Sequence, residues 1–458
     1  MAISTRTQTL VLLFFAVLLA ALDIAIVGPA LPAIQQSFGL DGRALAWILN
    51  IYILFALVGA PLNAKLSDRY GRRAVFVGCL ATFAVGSVIV AMAPTFSVLL
   101  AGRTVQAFGA GGILPVASAV IADSFPLERR GRALGLIGAV FGLALVLGPI
   151  LGGVLLRWGW QWLFLINLPI LGVVIWLSLR LLPQAPSRSL TSFDWQGAVV
   201  MSAMLVALAW GVSQLDAQHF GTSLMSIKVL PFIVFALLAV PVLWRIERHA
   251  ADPILDPVLF LSKRIRVIGA IAIATGLVEA SMVFLPAMSV RAFAVSASTA
   301  SFMMLPLVAM LIVGAPMAGQ LLDRIGPRPV IKAGLLLTVC GLLMLAGLPL
   351  VPASFYSAGI CIGLGLSGLL GAPLRFVALQ EAGEDKRGAS QGLLTLFLSI
   401  GRMLGAAVIG GMVASGASEL LGYRRALFCL AVVCMLAILV SVALHQSRGR
   451  TVATGPGT

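Results

Sequence analysis

Charge is scarce in this 458-residue chain: Asp, Glu, Lys and Arg together make up 10% of it, against about 25% in soluble domains. With 60% of the residues hydrophobic, the chain cannot keep its apolar side chains from water in a soluble fold. Histidine is scarcer still. The three present, His219, His249 and His445, lie at or beyond predicted helix ends, which argues against a histidine relay at depth. The five cysteines (Cys79, Cys340, Cys361, Cys429, Cys434) fall inside apolar runs with no close C-x-x-C pair. Neither a disulfide frame nor a metal site is expected of them, and they read as small core hydrophobes. There is also no Walker A sequence, no Gly-x-Ser-x-Gly and no carboxylate pair at metal-ligand spacing, which argues against an ATP-driven pump or a polytopic enzyme. No cofactor is expected. The net charge of +15 would suit nucleic acid in a soluble protein. In a chain this apolar, basic residues gather on cytoplasmic loops instead, so no nucleic-acid partner is expected.

What is abundant is long apolar runs. A bilayer-spanning helix needs about 20 mostly apolar residues, and windows fit at 9–32, 45–64, 74–93, 98–121, 132–154 and 163–182. Two more fit at 196–214 and 229–245, and six at 267–289, 299–321, 331–349, 353–377, 389–414 and 425–445. The first run continues through Asp23 to Leu31-Pro32 without an A-x-A cleavage site, so it reads as a retained helix. The expected fold is all-α and integral to the membrane. With the N-terminus in the cytoplasm, 22 of the 31 Lys and Arg fall on cytoplasmic loops, six outside, and three (Arg103, Arg375, Arg402) within apolar runs. That bias sets both termini cytoplasmic and the helix number even.

One turn occurs twice. Ala64-Lys-Leu-Ser-Asp68-Arg69-Tyr-Gly71-Arg72-Arg73 follows the second window, and Gly319-Gln-Leu-Leu-Asp323-Arg324-Ile-Gly326-Pro-Arg328 follows the second window of the last six. The repetition implies two related halves. Residues 1–182 are expected to form one six-helix bundle, and 263–447 another. Residues 183–262 would supply a linker and two inserted helices, and 448–458 a disordered tail.

These motifs carry a resemblance to the major facilitator superfamily, and within it to the fourteen-helix drug:proton antiporter branch. It covers nearly the whole chain. The Asp-Arg-x-Gly turn resembles the superfamily's loop motif, which implies a cytoplasmic gate of Asp68, Arg69, Gly71, Arg72 and Arg73 with its repeat Gly319, Asp323, Arg324, Gly326 and Arg328. An aspartate at a helix end can accept hydrogen bonds from neighbouring helix N-termini and pair with arginine. Arg103-Thr-Val-Gln106-Ala-Phe-Gly109 is similar to the fourth-helix motif, in which the arginine is linked to proton transfer. Gly148-Pro149-Ile-Leu-Gly152-Gly153 is similar to the antiporter motif, which accompanies export. Ala21-Leu22-Asp23, Trp160-Gln-Trp162 to Asn167-Leu-Pro169, Phe193-Asp194-Trp195 and Glu247-Arg248 to Asp252-Pro253 resemble the fourteen-helix branch. Where that branch more often carries Thr and Asn near the first acid, this chain has Ala25 and Gly28.

Of the sixteen acids, Asp23 and Glu279 alone fall near the middle of a window. Burial at that depth disfavours the charged form of a carboxyl, which suits proton uptake and release. The bland alternative for each is a structural partner to a buried arginine. Proton coupling is expected of Asp23, Arg103 and Glu279, with Gln106, Arg375 and Arg402 lining a candidate substrate cavity. The leading expectation is a monomeric, multi-pass antiporter of the bacterial inner membrane that exports small amphipathic or lipophilic compounds in exchange for protons. A carrier of anionic or lipid-like substrates is the alternative, since the three arginines in apolar runs outnumber the two acids.

Overall fold

The computed structural model describes residues 5–125, 127–182, 194–216, 219–250, 259, 262–370, 372–382 and 387–442. The expected linker before Asp194 and the tail after residue 447 lie outside these residues. The first block of helices comprises α1 (Thr5–Phe38), α2 (Gly42–Tyr70), α3 (Arg72–Ala91), α4 (Phe96–Ser124), α5 (Leu127–Leu155), α6 (Trp162–Leu165) and α7 (Asn167–Leu181). Then come α8 (Trp195–Ser213), α9 (Phe220–Leu224) and α10 (Leu230–His249). The last block comprises α11 (Lys263–Phe293), α12 (Ala297–Phe302), α13 (Leu305–Ile325), α14 (Pro327–Gly347), α15 (Pro352–Leu370), α16 (Ala372–Ala382), α17 (Arg387–Ser415) and α18 (Glu419–Ser441). Among the described residues, 13 helical segments are long and apolar enough to cross a membrane. The 29-residue α5 is a further continuous helix, with Val146–Leu155 as its described apolar stretch.

Two of the expected spans are each broken in two, between α6 and α7 and between α12 and α13. The reason is local. Each second piece carries proline in its first turn (Pro169, Pro306), where the missing N–H leaves no hydrogen bond unmade but the preceding helix cannot continue. Helix starts are fixed by side-chain caps from Asp41, Thr95, Ser262, Ser296 and Ser418, each satisfying an orphan N–H.

The repeated turn has one backbone shape at both sites. Gly71, between α2 and α3, has φ 90° and ψ 145°; Gly326, between α13 and α14, has φ 81° and ψ 173°. A side chain would be strained at either position. Helix pairing also repeats. α1 packs on α5, and α2 and α3 on α4; α11 packs on α17, and α13 and α14 on α15. The blocks meet along α1–α11, α2–α17 and α5–α12, and α8 lies against α2 and α17 at one seam. Leu54, Met201, Leu205, Leu243, Leu393 and Leu396 bury one another there.

Named contacts between the blocks gather at the end remote from Thr5 and Ser441, here the distal end. Gly42 and Gly410 touch backbone to backbone, and a methyl group at Gly42 would lie 2.9 Å from Val413 Cβ. Ser298 Oγ donates to Gly153 O, and Gln35 Nε2 donates to Glu419 Oε1 at 3.2 Å. Farther in, a methyl at Gly28 would lie 3.0 Å from Val283 O. These residues are 255 apart, as are Gly71 and Gly326, so α1 and α11 cross at matching points of the repeat. The outer surface along the spans is largely apolar, with Val199, Leu237, Leu238, Leu436 and Leu439 among its exposed residues. Exposed Trp158, Trp162 and Trp210 stand toward the distal end and Trp176 and Trp195 toward the other, the pattern of two interfacial belts. Cys79 and Cys434 are buried, whereas Cys340 is exposed. It belongs to this apolar surface and not to the core expected of it.

Candidate functional site

Two ion pairs sit in the middle of the bundle, one in each block, and they differ in how far they are sealed. In the first block, α3 and α4 approach so closely at Gly86 that any side chain there would overlap the Gln106 backbone. That approach brings Ser87 of α3 to Gln106 of α4. Arg103, one turn before Gln106, reaches across to Asp23 of α1, with Nη1 at 2.7 Å from Oδ2 and both side chains 0% exposed. The same Nη1 donates to Gln106 Oε1 at 2.7 Å. Gln106 Nε2 donates to Asp23 Oδ1 and to Ser87 Oγ, each at 2.8 Å, and Ser87 Oγ donates to Phe83 O at 2.9 Å. Both carboxylate oxygens of Asp23 are thus held, one by a charge and one by a neutral amide.

Aromatic rings close the other side. The Arg103 guanidinium carbon lies 4.1 Å from the centroid of the Tyr52 ring on α2 and 5.8 Å from that of Phe164 on α6. Nε and Nη2 of Arg103 are buried without a hydrogen-bond partner among the described residues, and the Tyr52 hydroxyl is buried beside the Asp23 carboxyl. The sequence brought Asp23, Arg103 and Gln106 to attention as site residues but not Tyr52 or Ser87, and Phe164 only as part of the stretch from Trp160 to Pro169. The available signal was the rarity of tyrosine, with four in the chain and one of them deep within an apolar run.

The second pair is looser. Arg402 Nη1 on α17 stands 3.5 Å from Glu279 Oε1 on α11, with the side chains 26% and 28% exposed. Arg402 Nη2 donates to Ser399 Oγ at 2.9 Å. The two helices are locked backbone to backbone, because a methyl at Gly405 would lie 2.7 Å from Leu277 O and Gly276 abuts Leu398 O. Glu279 falls one residue from the position 255 after Asp23, so the first helix of each block carries an acid on the same side of the Gly28–Val283 crossing. Arg375 is remote in character from both pairs, being exposed on α16.

The glycines of α5 serve close packing. A methyl at Gly148 would lie 2.7 Å from Ala25 Cβ, Gly152 meets Pro29, and Gly153 meets Phe302 of the other block. Ala25 and Gly28 are therefore contact positions of α1. At the end opposite the distal contacts, the side chains of Asp68 and Arg69 lie outside the described residues. Arg72 Nε pairs with Asp123 Oδ2 at 3.1 Å, and its Nη1 donates to Ser67 Oγ at 2.6 Å. Asp323 and Arg324 are exposed, as is Ala74 beside the partly buried Arg73. At the same end of the second block, Glu381 accepts from Ser262 Oγ at 2.8 Å and pairs with Arg264 Nη1 at 3.3 Å. These polar contacts tie each block to itself.

Comparison with known proteins follows the same lines. The family model described as Major Facilitator Superfamily matches residues 13–406 and again 267–457. An uncharacterized transporter of that type from Bacillus subtilis, YfiU, is 33% identical over 88% of this chain and 79% of its own length. The multidrug resistance protein Stp of Mycobacterium tuberculosis is 30% identical over 91% and 78%. The tetracenomycin C resistance and export protein of Streptomyces glaucescens is 29% identical over 89% and 76%. Among solved structures, the Escherichia coli xylose transporter XylE superposes with a TM-score of 0.65 at 14% identity, covering 97% of this chain and all of that one. A bacterial homologue of the human lysosomal transporter Spinster, inward-facing, gives 0.65 at 19% over 96% and 98%. At those identities the likeness is one of fold.

Proposed function

This chain belongs to the Major Facilitator Superfamily, and from that premise we propose that it is a proton-coupled antiporter exporting small amphipathic or lipophilic compounds. It is a multi-pass membrane transporter and not an enzyme. The observation that carries the coupling is the sealed cluster of Asp23, Arg103, Gln106 and Ser87. A carboxylate with no exposure and a guanidinium as its partner has one chemical event open to it, gaining or losing a proton. On protonation Arg103 loses its counter-ion. The resulting rearrangement reaches α1, which also meets α5 and α11, and so links proton occupancy to the packing between the blocks.

Export rather than uptake rests on the relatives named for multidrug resistance and on the close α1–α5 packing at Gly148 and Gly152. The reading has fourteen spans in six-two-six order, both termini cytoplasmic in a bacterial inner membrane, and a working monomer. With that orientation the distal end faces outward, and its contacts describe a carrier closed on that side. Substrate would bind between the blocks, and rocking would expose it to either side. A second reading, an anionic substrate, is favoured by Arg402, whose loose pairing leaves charge available to a ligand.

Purified protein in liposomes with an imposed pH gradient tests the proposal. Ethidium should accumulate on the acidic side in wild type, without ATP, and fail to do so in Asp23→Asn. Accumulation in that variant with unchanged pH dependence would move the proton site elsewhere, Glu279 first.

A further inference from the structure

The sealed cluster poses a problem that its own hydrogen bonds do not solve. When Asp23 takes a proton, Arg103 remains charged with no exposure, and a buried charge without a partner is strongly disfavoured. Gln106 offers it one carbonyl oxygen. Two ring faces are within reach, Tyr52 at 4.1 Å from the guanidinium carbon and Phe164 at 5.8 Å, and Tyr52 is the nearer. A ring face attracts a cation, and more strongly where water is absent. Tyr52 is 3% exposed, so water does not compete for that face.

The charged groups on the elements around α1 leave no alternative holder in view. α2 carries Arg43 at its distal start and Lys65, Asp68 and Arg69 at its other end, and α7 carries Arg180 in its last turn. α5 is charged over 128–132 alone, α6 and α12 carry no charge, and Asp123 ends α4. On α11, Glu279 is paired with Arg402, Arg291 with Glu419 at the distal end, and Lys263, Arg264 and Arg266 lie in the first turn.

We propose that Tyr52 is a positioning residue for coupling: its ring holds Arg103 while Asp23 is protonated and returns it to the carboxylate on release. The role rests on Asp23 as the proton site. It belongs to the ring; the hydroxyl, which stands beside the Asp23 carboxylate, acts on that acid directly and in the opposite sense, by favouring its charged form. Holding the cation when its counter-ion is gone makes the protonated state easier to reach. Without the ring, protonation requires a higher proton concentration.

The test is a titration of purified protein by infrared difference spectroscopy, which reads the protonated carboxyl directly and needs no substrate. The Asp23 band is assigned by its loss in Asp23→Asn. In Tyr52→Phe the midpoint of that band should stay or rise, because the ring persists and what is lost is a hydroxyl that favours the charged carboxylate. In Tyr52→Leu and Tyr52→Met it should lie about one unit below that of Tyr52→Phe, a tenfold higher proton concentration, as expected for loss of a desolvated cation–π contact. Two replacements guard against one failing to fold, and monodisperse elution with a wild-type amide band certifies each. A midpoint in both that matches Tyr52→Phe overturns the role of the ring while leaving Asp23 in place. If no band sensitive to Asp23→Asn titrates between about pH 4 and 10, the proton site itself is wrong and the role of Tyr52 falls with it.

Discussion

At the residue scale the two ion pairs predict unequal responses to the same kind of mutation. Taking Arg103 alone from a site with no exposure strands a carboxylate, and taking Asp23 alone strands a guanidinium; breaking a buried pair from one side costs about 3–5 kcal/mol. Replacing both by neutral, hydrogen-bonding groups strands neither. Asp23→Asn and Arg103→Gln should therefore each lower the thermal midpoint of detergent-solubilised protein, while the double variant recovers most of the loss. All three should lose proton-driven efflux. Recovery of transport together with stability would reduce the pair to a structural brace. Glu279→Gln acts on a pair about a quarter exposed and 3.5 Å apart, so its stability cost should stay within about 1 kcal/mol. What the sequence told of this site follows from the same physics. Asp23 and Arg103 were legible because charge inside an apolar run is costly anywhere. Tyr52 and Phe164 were not, because an aromatic ring in a span is unremarkable until a cation is found above it.

At the scale of helices, glycine sets where the elements may touch, and the distal seam is the sharpest case. Gly42 of α2 and Gly410 of α17 meet with no room for a side chain. Gly410→Leu should be unable to adopt the arrangement described here and should hold the distal ends apart. A single cysteine at Ala46, buried at this seam and placed in a chain freed of its native cysteines, would report the change. It should react slowly with a membrane-impermeant thiol reagent in the parent and at least tenfold faster with Gly410→Leu. Equal rates would mean that the seam yields elsewhere. Spacing of apolar runs predicted where helices lie. It did not predict the breaks before Asn167 and Leu305, since a proline within a run is read as a kink or as a start only once the neighbouring turn is seen. The duplicated Asp-Arg-x-Gly turn was legible, because the backbone shape at Gly71 and Gly326 tolerates no side chain and so leaves its mark in the residues.

For the whole molecule, the polar contacts divide by end. At the end near Thr5 and Ser441, Arg72–Asp123 and Arg264–Glu381 each stay within one block. At the distal end, Gln35–Glu419 and Ser298–Gly153 join the two. A carrier that rocks must give up the second set in order to open outward, and the first set can persist as each block moves as a unit. This asymmetry was not legible in the sequence, where Gln35 and Glu419 are ordinary polar residues 384 positions apart. It leads to a direct test of alternating access. Gln35→Cys and Glu419→Cys, in a chain without native cysteines, should be joined by a short bifunctional methanethiosulfonate. In liposomes the joined protein should lose at least nine-tenths of its pH-driven ethidium transport, and reduction of the linker should restore it. The same reagent applied to either single variant should leave transport unchanged. A joined protein that still turns over at the parent rate would mean that the distal end does not open during transport, and the rocking mechanism would have to be abandoned.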